Sequence, residues 1–393
     1  MNKRKNEIMY IVVILFWFSM YVYVPTLTPY AQKLGASMQL VGMIIGSYGF
    51  TQMIVRIPIG IICDKTGNKK NFVIIGCALL LLSGIGLYFA KNPVLVLVFR
   101  GLSGVAAGTW VAFTVLYAEY FNEDQAANSM GNIIACNSFG NLIGVFFGGL
   151  FSQTFGQKST FILAFITAGI AFILSFFVYE DKNYIKSSVS IKKIINTGLD
   201  KNVLIPSAIS IFLQVIIFSS MFGYTPAVNT SGGMSSFQLG LVSTFFLIAK
   251  IGGAKLSGGY FEKNYGYDKS ISLGFWLIAI MTAFTVNVSS NPILSYSVHV
   301  VGGCGYGITM SLLMSYVISE ADKNSKTIAM GIFQSIYGIG MFAGPVISGY
   351  IIDWTGYGAN YTILTILGVI SSIFSLVFLK SKDVVIIEDT DKL

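Results

Sequence analysis

Four cationic side chains, Arg56, Arg100, Lys250 and Lys255, and the only histidine of the chain, His299, stand inside long apolar stretches. None of the 17 acidic residues lies near the centre of such a stretch; Asp64, Glu119, Glu262, Glu320 and Asp353 sit at the ends. A charge in apolar surroundings is costly and is kept where it has a partner or a task. Cations with no acid beside them suit a ligand bearing a carboxylate or a phosphate. Arg56 and Lys255 stand near enough to one end to extend their heads to water, whereas Arg100 and Lys250 lie deeper, and Arg100 is the leading candidate. An imidazole titrates near neutral pH in water, which suits His299 to proton exchange, although a lone histidine in such a place is first a core residue. Tyr21, Tyr23, Tyr224, Gln214, Asn137 and Gln334 complete the candidate set, each of them first a packing residue. Tyr23 and Tyr224 lead this group. They precede Pro25 and Pro226 by two positions, where a proline frees backbone groups and kinks a helix.

The elements that must carry these residues follow from composition. Of 393 residues, 54% are hydrophobic and 11% charged, against about 25% charged in a soluble domain. So few charges cannot cover a surface in water. Apolar blocks such as 8–30, 72–90 and 161–179 approach or exceed the roughly 20 residues that cross hydrocarbon as a helix. They lack the alternation of a barrel strand. The expected fold is all-α: a polytopic membrane protein with 12 transmembrane helices in two pseudo-symmetric six-helix bundles. The spans are expected at 8–30, 39–62, 71–91, 93–118, 128–152 and 158–179, then at 202–226, 235–260, 269–288, 291–318, 327–352 and 360–380. The first block is too long for a signal-peptide core and is read as a retained first helix. Expected boundaries are 1–180 for the first bundle, 181–201 for a cytoplasmic linker, 202–380 for the second bundle and 381–393 for a cytoplasmic tail.

Of 25 basic residues, four lie within spans. Lys33, Lys91 and Lys158 fall on one side of the membrane and the remaining 18 on the other. Basic loops stay in the cytoplasm, so both termini are expected there. The net charge of +8 is thereby a matter of topology and implies no nucleic acid. Cys63, Cys77, Cys136 and Cys304 lack the close paired spacing of a metal site and suggest neither zinc nor a disulfide.

The two halves repeat each other at an offset near 200 residues. Ser19-Met20-Tyr21-Val22-Tyr23-Val24-Pro25 matches Ser220-Met221-Phe222-Gly223-Tyr224-Thr225-Pro226. Gly131, Gly140, Gly144 and Gly149 reappear as Gly331, Gly340, Gly344 and Gly349, while Gly148 becomes Ser348. Arg100 corresponds to His299 at an offset of 199. Six spans per half place both halves in one orientation, related by an axis along the membrane normal, with a solute pathway expected between them. Small residues along a helix allow close backbone approach in lipid, so helix packing is the first role of Gly131, Gly140, Gly144, Gly148, Gly149, Gly340, Gly344, Pro345 and Gly349.

Between the second and third spans, Gly60-Ile61-Ile62-Cys63-Asp64-Lys65-Thr66-Gly67-Asn68-Lys69-Lys70 resembles the signature loop of the major facilitator superfamily, with Asn68 delaying the basic pair by one residue. Arg100-Gly101-Leu102-Ser103-Gly104, with Gly108, is similar to its fourth-helix motif. The fifth-span glycines resemble its antiporter motif, except that Val145 stands where the motif has proline; the second half has Gly344-Pro345. The resemblance covers the whole chain and is most like the drug and metabolite efflux (drug:proton antiporter) branch. It implies a cytoplasmic gate formed by Gly60, Asp64, Lys65, Gly67, Lys69 and Lys70, with Glu119 as partner.

The expected function is secondary active transport of a small solute by alternating access, as efflux driven by an ion gradient, with protons as the coupling ion. Uptake or exchange of an organic anion, and a non-transporting sensor with the same fold, stand as alternatives. Without a Gly-rich phosphate loop, ATP is not the direct energy source. One histidine and no embedded carboxylate leave no catalytic constellation, so no enzyme activity and no cofactor are expected. The expected partners are the solute, the lipid bilayer and protons, and one chain holds a complete pathway as a monomer. The Lys- and Ile-rich composition suggests a bacterial plasma membrane.

Overall fold

A backbone in hydrocarbon has no water to bond to, so each long apolar stretch closes its hydrogen bonds within itself as a helix. The computed structural model describes residues 3–121, 123–180, 191–321 and 325–379. Among these, ten helices are long and apolar enough to cross a membrane. Two of the ten, Ser236–Thr285 and Ile328–Phe378, are each interrupted by one glycine, Gly266 (φ 75°) and Gly356 (φ 80°). In this left-handed region a residue without Cβ turns the chain at no steric cost. Each break divides one long helix into two, giving twelve spans.

In the first half the spans are Asn6–Lys33, Met38–Cys63, Lys69–Phe89, Pro93–Ala118, Met130–Phe155 and Lys158–Ser175. In the second half Lys201–Ser231 is the seventh and Ser236–Leu256 the eighth. The ninth runs from Gly266 to Thr285, the tenth is Pro292–Glu320, and Gly356 divides the eleventh from the twelfth. The seventh span outruns the expected 202–226. Pro226 does not end the helix: it sits in the first turn of a terminal segment, Thr225–Ser231, where the missing N–H would be unsatisfied anyway.

The repeat extends to local structure. Asn92 and Asn291 each cap a helix opening on proline, accepting the N–H of Leu95 and Leu294. Ser37 caps the second span and Ser235 the eighth. The first span breaks after Tyr21 and resumes at Val24, and the seventh widens into a π-turn over Ser220–Tyr224. The helix that resumes at Val24 touches the π-turn, where the Thr28 hydroxyl donates to the Gly223 carbonyl at 2.7 Å.

Each half has its own core, one built around Phe16, Phe113, Tyr117 and Phe161, the other around Phe246, Phe275, Leu312 and Phe333. Tyr21 and Phe222 pack against both. The halves meet along two seams, the second span against the eleventh and the fifth against the eighth. Of the expected linker, Ile191–Leu199 is a short helix. Residues 181–190, the tail 381–393 and the Asp64 side chain lie outside the described residues.

Candidate functional site

Arg100 lies in the fourth span, two turns in from Pro93 and buried. Its Nη1 donates to the Tyr23 hydroxyl at 2.8 Å and to Ser103 Oγ at 3.4 Å. The guanidinium lies over the Tyr48 ring, 4.4 Å from its centroid, and 5.4 Å from that of Tyr23. Among the described residues no carboxylate pairs with it. A planar, weakly hydrated cation is suited to such π faces, whose quadrupole attracts it. The glycines that follow Arg100 bring Tyr48 within reach. A Cβ on Gly104 would strike the Tyr48 backbone and the Thr51 side chain, so the second span approaches closely, and Thr51 Oγ1 donates to the Gly101 carbonyl at 2.7 Å.

From Tyr48 a chain of rings crosses into the second half. Tyr48 stacks on Phe218 (centroids 6.4 Å apart, planes within 10°), Phe218 packs on Phe222 at 5.4 Å, and Phe222 meets Phe246 edge-on at 6.0 Å. Phe246 stacks on Tyr306 at 6.0 Å, and the Lys250 ammonium sits over the Tyr306 ring at 5.2 Å. Tyr21 joins from the first half, edge-on to Phe222 at 6.0 Å. Its electrostatic neighbours Tyr48, Tyr306, Arg100 and Tyr337 come from both halves. Gln214 lies beside Met310 and Tyr306. Lys250, Tyr21, Phe222, Met310 and Tyr337 are partly exposed; Arg100 is not.

The space between the halves is sealed at the end away from the termini. Asp353 accepts the backbone N–H groups of Met38 (3.0 Å) and Gln39 (2.9 Å) at the start of the second span, and Gln39 Nε2 bonds the Tyr350 hydroxyl. The Tyr224 hydroxyl donates to the carbonyls of Met38 (2.8 Å) and Pro345 (3.0 Å). Gly349 packs on Met38 and Gln39, and a Cβ on Gly149 would lie 2.7 Å from the Gly240 Cα. Gly140 and Gly144 pack instead on the first span, at Ile14 and Phe18, Gly148 packs on Val22, and Gly340 and Gly344 pack on the seventh at Ile211 and Val215. Gly131 is different. A Cβ there meets nothing within 4 Å, and the same holds for Gly252 and Gly331. In this conformation the fifth span has no close neighbour at Gly131.

At the end that carries the termini Arg56 Nη1 crosses from the second span to the eleventh, donating to Gln334 Oε1 at 3.0 Å and the Tyr337 hydroxyl at 3.4 Å. Lys255, its counterpart in the repeat, is exposed. In the loop, Gly67 has φ 73° and its N–H closes the second span on the Cys63 carbonyl. Lys69 Nζ lies 2.7 Å from Glu119 Oε1, and the Lys70 N–H donates to Glu180 at 2.9 Å. These contacts tie the loop to the fourth and sixth spans of its own half. Beside them the Tyr120 hydroxyl donates to the Tyr179 carbonyl at 2.5 Å; burial, and then Glu180 and Glu119, push its phenol above the usual range. Lys65 is exposed, and Gly60 stands near Val111.

The remaining candidates scatter. Asn137 accepts from Asn141 Nδ2 at 3.1 Å. His299 is fully buried, its Nδ1–H donating to the Ser295 carbonyl at 2.7 Å, with Nε2 unpartnered. Tyr48, Phe222, Tyr306 and Asp353 were not among the sequence candidates. Nor was Asp268, which the span limits place in a loop and which is buried; the helix after Gly266 begins before the expected 269. Of these, only Asp353 stood out in the sequence, as one of the acids at the span ends.

A profile of the Major Facilitator Superfamily matches residues 9–249 and 207–390. An uncharacterised MFS-type transporter of Methanocaldococcus jannaschii is 25% identical over 379 residues, covering 89% of this chain and 92% of that protein. A multi-drug resistance efflux pump PmrA homolog of Lactococcus lactis is 25% identical over 329 residues, covering 81% and 80%. The crystal structure of an aspartate-to-alanine mutant of the nucleoside transporter NupG superposes with a TM-score of 0.78 at 14% identity, over 96% of this chain and all of that one, a likeness of fold alone. Twelve spans in two halves and a matching profile over nearly the whole length lead to one conclusion: the chain belongs to the major facilitator superfamily of transporters.

Proposed function

We propose that the protein exports a small organic solute from the cytoplasm, exchanging it for protons that run down their gradient. The observation that carries this reading is the partly exposed site between the halves, closed by Asp353, Tyr224 and Gly149 on one side and opening toward the termini on the other. With the termini in the cytoplasm, as the distribution of basic residues leads one to expect, this is a conformation that loads from inside. The similarity to a protein described as an efflux pump and the fifth-span glycine pattern support export. The test is substrate accumulation in everted vesicles energised by a proton gradient. Accumulation that a protonophore abolishes, and that Arg100→Lys lowers by about tenfold through loss of planar contact with Tyr48, is the expected result. Accumulation indifferent to the gradient would leave exchange or facilitated flow.

Exchange of organic anions is the second reading. Lys250 reaches the space between the halves, Arg56 and Arg100 lie buried beside it, and no described carboxylate neutralises them.

A further inference from the structure

We infer that the solute is a planar aromatic anion, a ring bearing one carboxylate, whose acid group docks on Lys250 while its ring lies against Tyr306, Phe222 and Tyr21. The inference rests on the reading of the inter-half space as the solute site and specifies the occupant.

The three cations differ in what they have to spare. Arg56 is engaged by Gln334 and Tyr337, and Arg100 by Tyr23, Ser103 and the Tyr48 face. Both are buried. Lys250 is partly exposed and meets only the Tyr306 ring, with no acceptor among the described side chains. An ammonium has three donors, and one π face satisfies none of them as a hydrogen bond would. An anion supplies what is missing. A charge-assisted contact in a site poor in water is among the stronger single interactions available to a ligand.

The surroundings of Lys250 set the rest of the ligand. Phe246 and Tyr306 are stacked in nearly parallel planes, 22° apart, Phe222 stands edge-on to both Phe246 and Tyr21, and Met310 lies beside Gln214. Offset and edge-to-face packing favours a flat π system over a saturated ring of equal size, and a thioether adapts to its outline. A cation in the same place would meet Lys250 and Arg100 with no acid to offset them.

The test uses the purified full-length protein and three probes of similar size: 2-naphthoate, the saturated decahydro-2-naphthoate and the cation 2-naphthylmethylammonium. Binding is read by thermal shift and by quenching of tryptophan fluorescence. The expected order is 2-naphthoate first, the saturated acid about tenfold weaker and the cation without effect. Lys250→Gln should weaken 2-naphthoate by about 10- to 100-fold, and Lys250→Arg should keep most of the affinity. Tyr306→Leu, which leaves the charge in place, should reduce the preference for the flat acid over the saturated one. The inference is overturned if the cation binds as well as the anion, or if Lys250→Gln binds 2-naphthoate unchanged. Should Lys250→Gln fail to fold, the probe order in the native protein and Tyr306→Leu decide the matter. Flux in proteoliposomes separates the two readings: 2-naphthoate binding without flux refutes transport and leaves the site, whereas proton-coupled flux of a cation without naphthoate binding refutes the site and leaves transport.

Discussion

Asp353 of the eleventh span accepts the backbone N–H of Gln39 at 2.9 Å and, with its other oxygen, that of Met38 at 3.0 Å. The N-terminus of the second span is a concentration of partial positive charge and unsatisfied N–H groups, and a carboxylate from the opposite half closes over it. This contact joins a charge of one half to a helix end of the other, and among the described residues no basic side chain pairs with Asp353.

Asp353→Asn should loosen this seal. Losing the charge while keeping the shape removes about 1 to 2 kcal/mol of charge-assisted bonding, enough to move the balance of conformations about 5- to 30-fold. Spin labels on Lys33→Cys and Ser231→Cys, both exposed at the sealed end, report the distance. A longer-distance population that grows in the variant is expected; an unchanged distribution would remove Asp353 from the gate.

Gly240→Val tests the other seam. Side-chain atoms here would be forced into the Gly149 backbone, and overpacking of this kind costs about 1–3 kcal/mol. The clash exists only while this end is closed, so the expected variant folds with nearly normal thermal stability and populates the opposite opening. Severe destabilisation of the whole protein would mean that the contact is structural in every conformation.

Lys69 is almost completely buried, with 1% of its side chain exposed, whereas its partner Glu119 is 30% exposed. Glu119→Gln takes one counter-charge from the buried ammonium, and its cost should be about 2 kcal/mol, below the full penalty of a wholly buried pair because the glutamate keeps some water. Adding Lys69→Met should restore part of that stability. Thermal unfolding of the two variants checks the order, and a double variant no more stable than Glu119→Gln alone would contradict it.

His299→Gln should leave transport within about threefold of the native rate, with the pH profile unmoved. The imidazole is fully buried and tied to the Ser295 carbonyl, which is the position of a packed polar residue. A flattened or displaced pH profile would reinstate it as the proton carrier.

Hydropathy and the repeat carry the spans, because lipid admits few other solutions for a backbone. The turn glycines follow the same repeat: Gly67 and Gly266, and Gly156 and Gly356, share a positive φ. Arg100 was legible as a costly buried charge. Its partners were not. Tyr48 and Tyr306 are apolar-segment tyrosines like many others, and whether such a ring faces lipid, a neighbour or the pathway depends on helix rotation, which no single span specifies. Gly149 and Gly144 look alike in the sequence, yet one touches the opposite half and the other its own. Side-chain reach across a seam is a property of two helices. For that reason Asp353 was legible only as an acid at a span end, without its partners on the other half.

The two seams are of unequal length, and this gives the molecule a spine and a fore-edge. The second and eleventh spans stay in touch from Gly42 at Pro345, through Gly46 at Phe342 and Gly49 at Met341, to Arg56 at Gln334. The fifth and eighth meet at Gly149 and Gly240, and farther along Gly131 and Gly252 face open space. A rigid half turning about the longer seam opens like a book cover, so the mouth gapes on one flank only. That side opening faces the leaflet on the side of the termini, where a solute dissolved in lipid meets it between the fifth and eighth spans without first passing through bulk water.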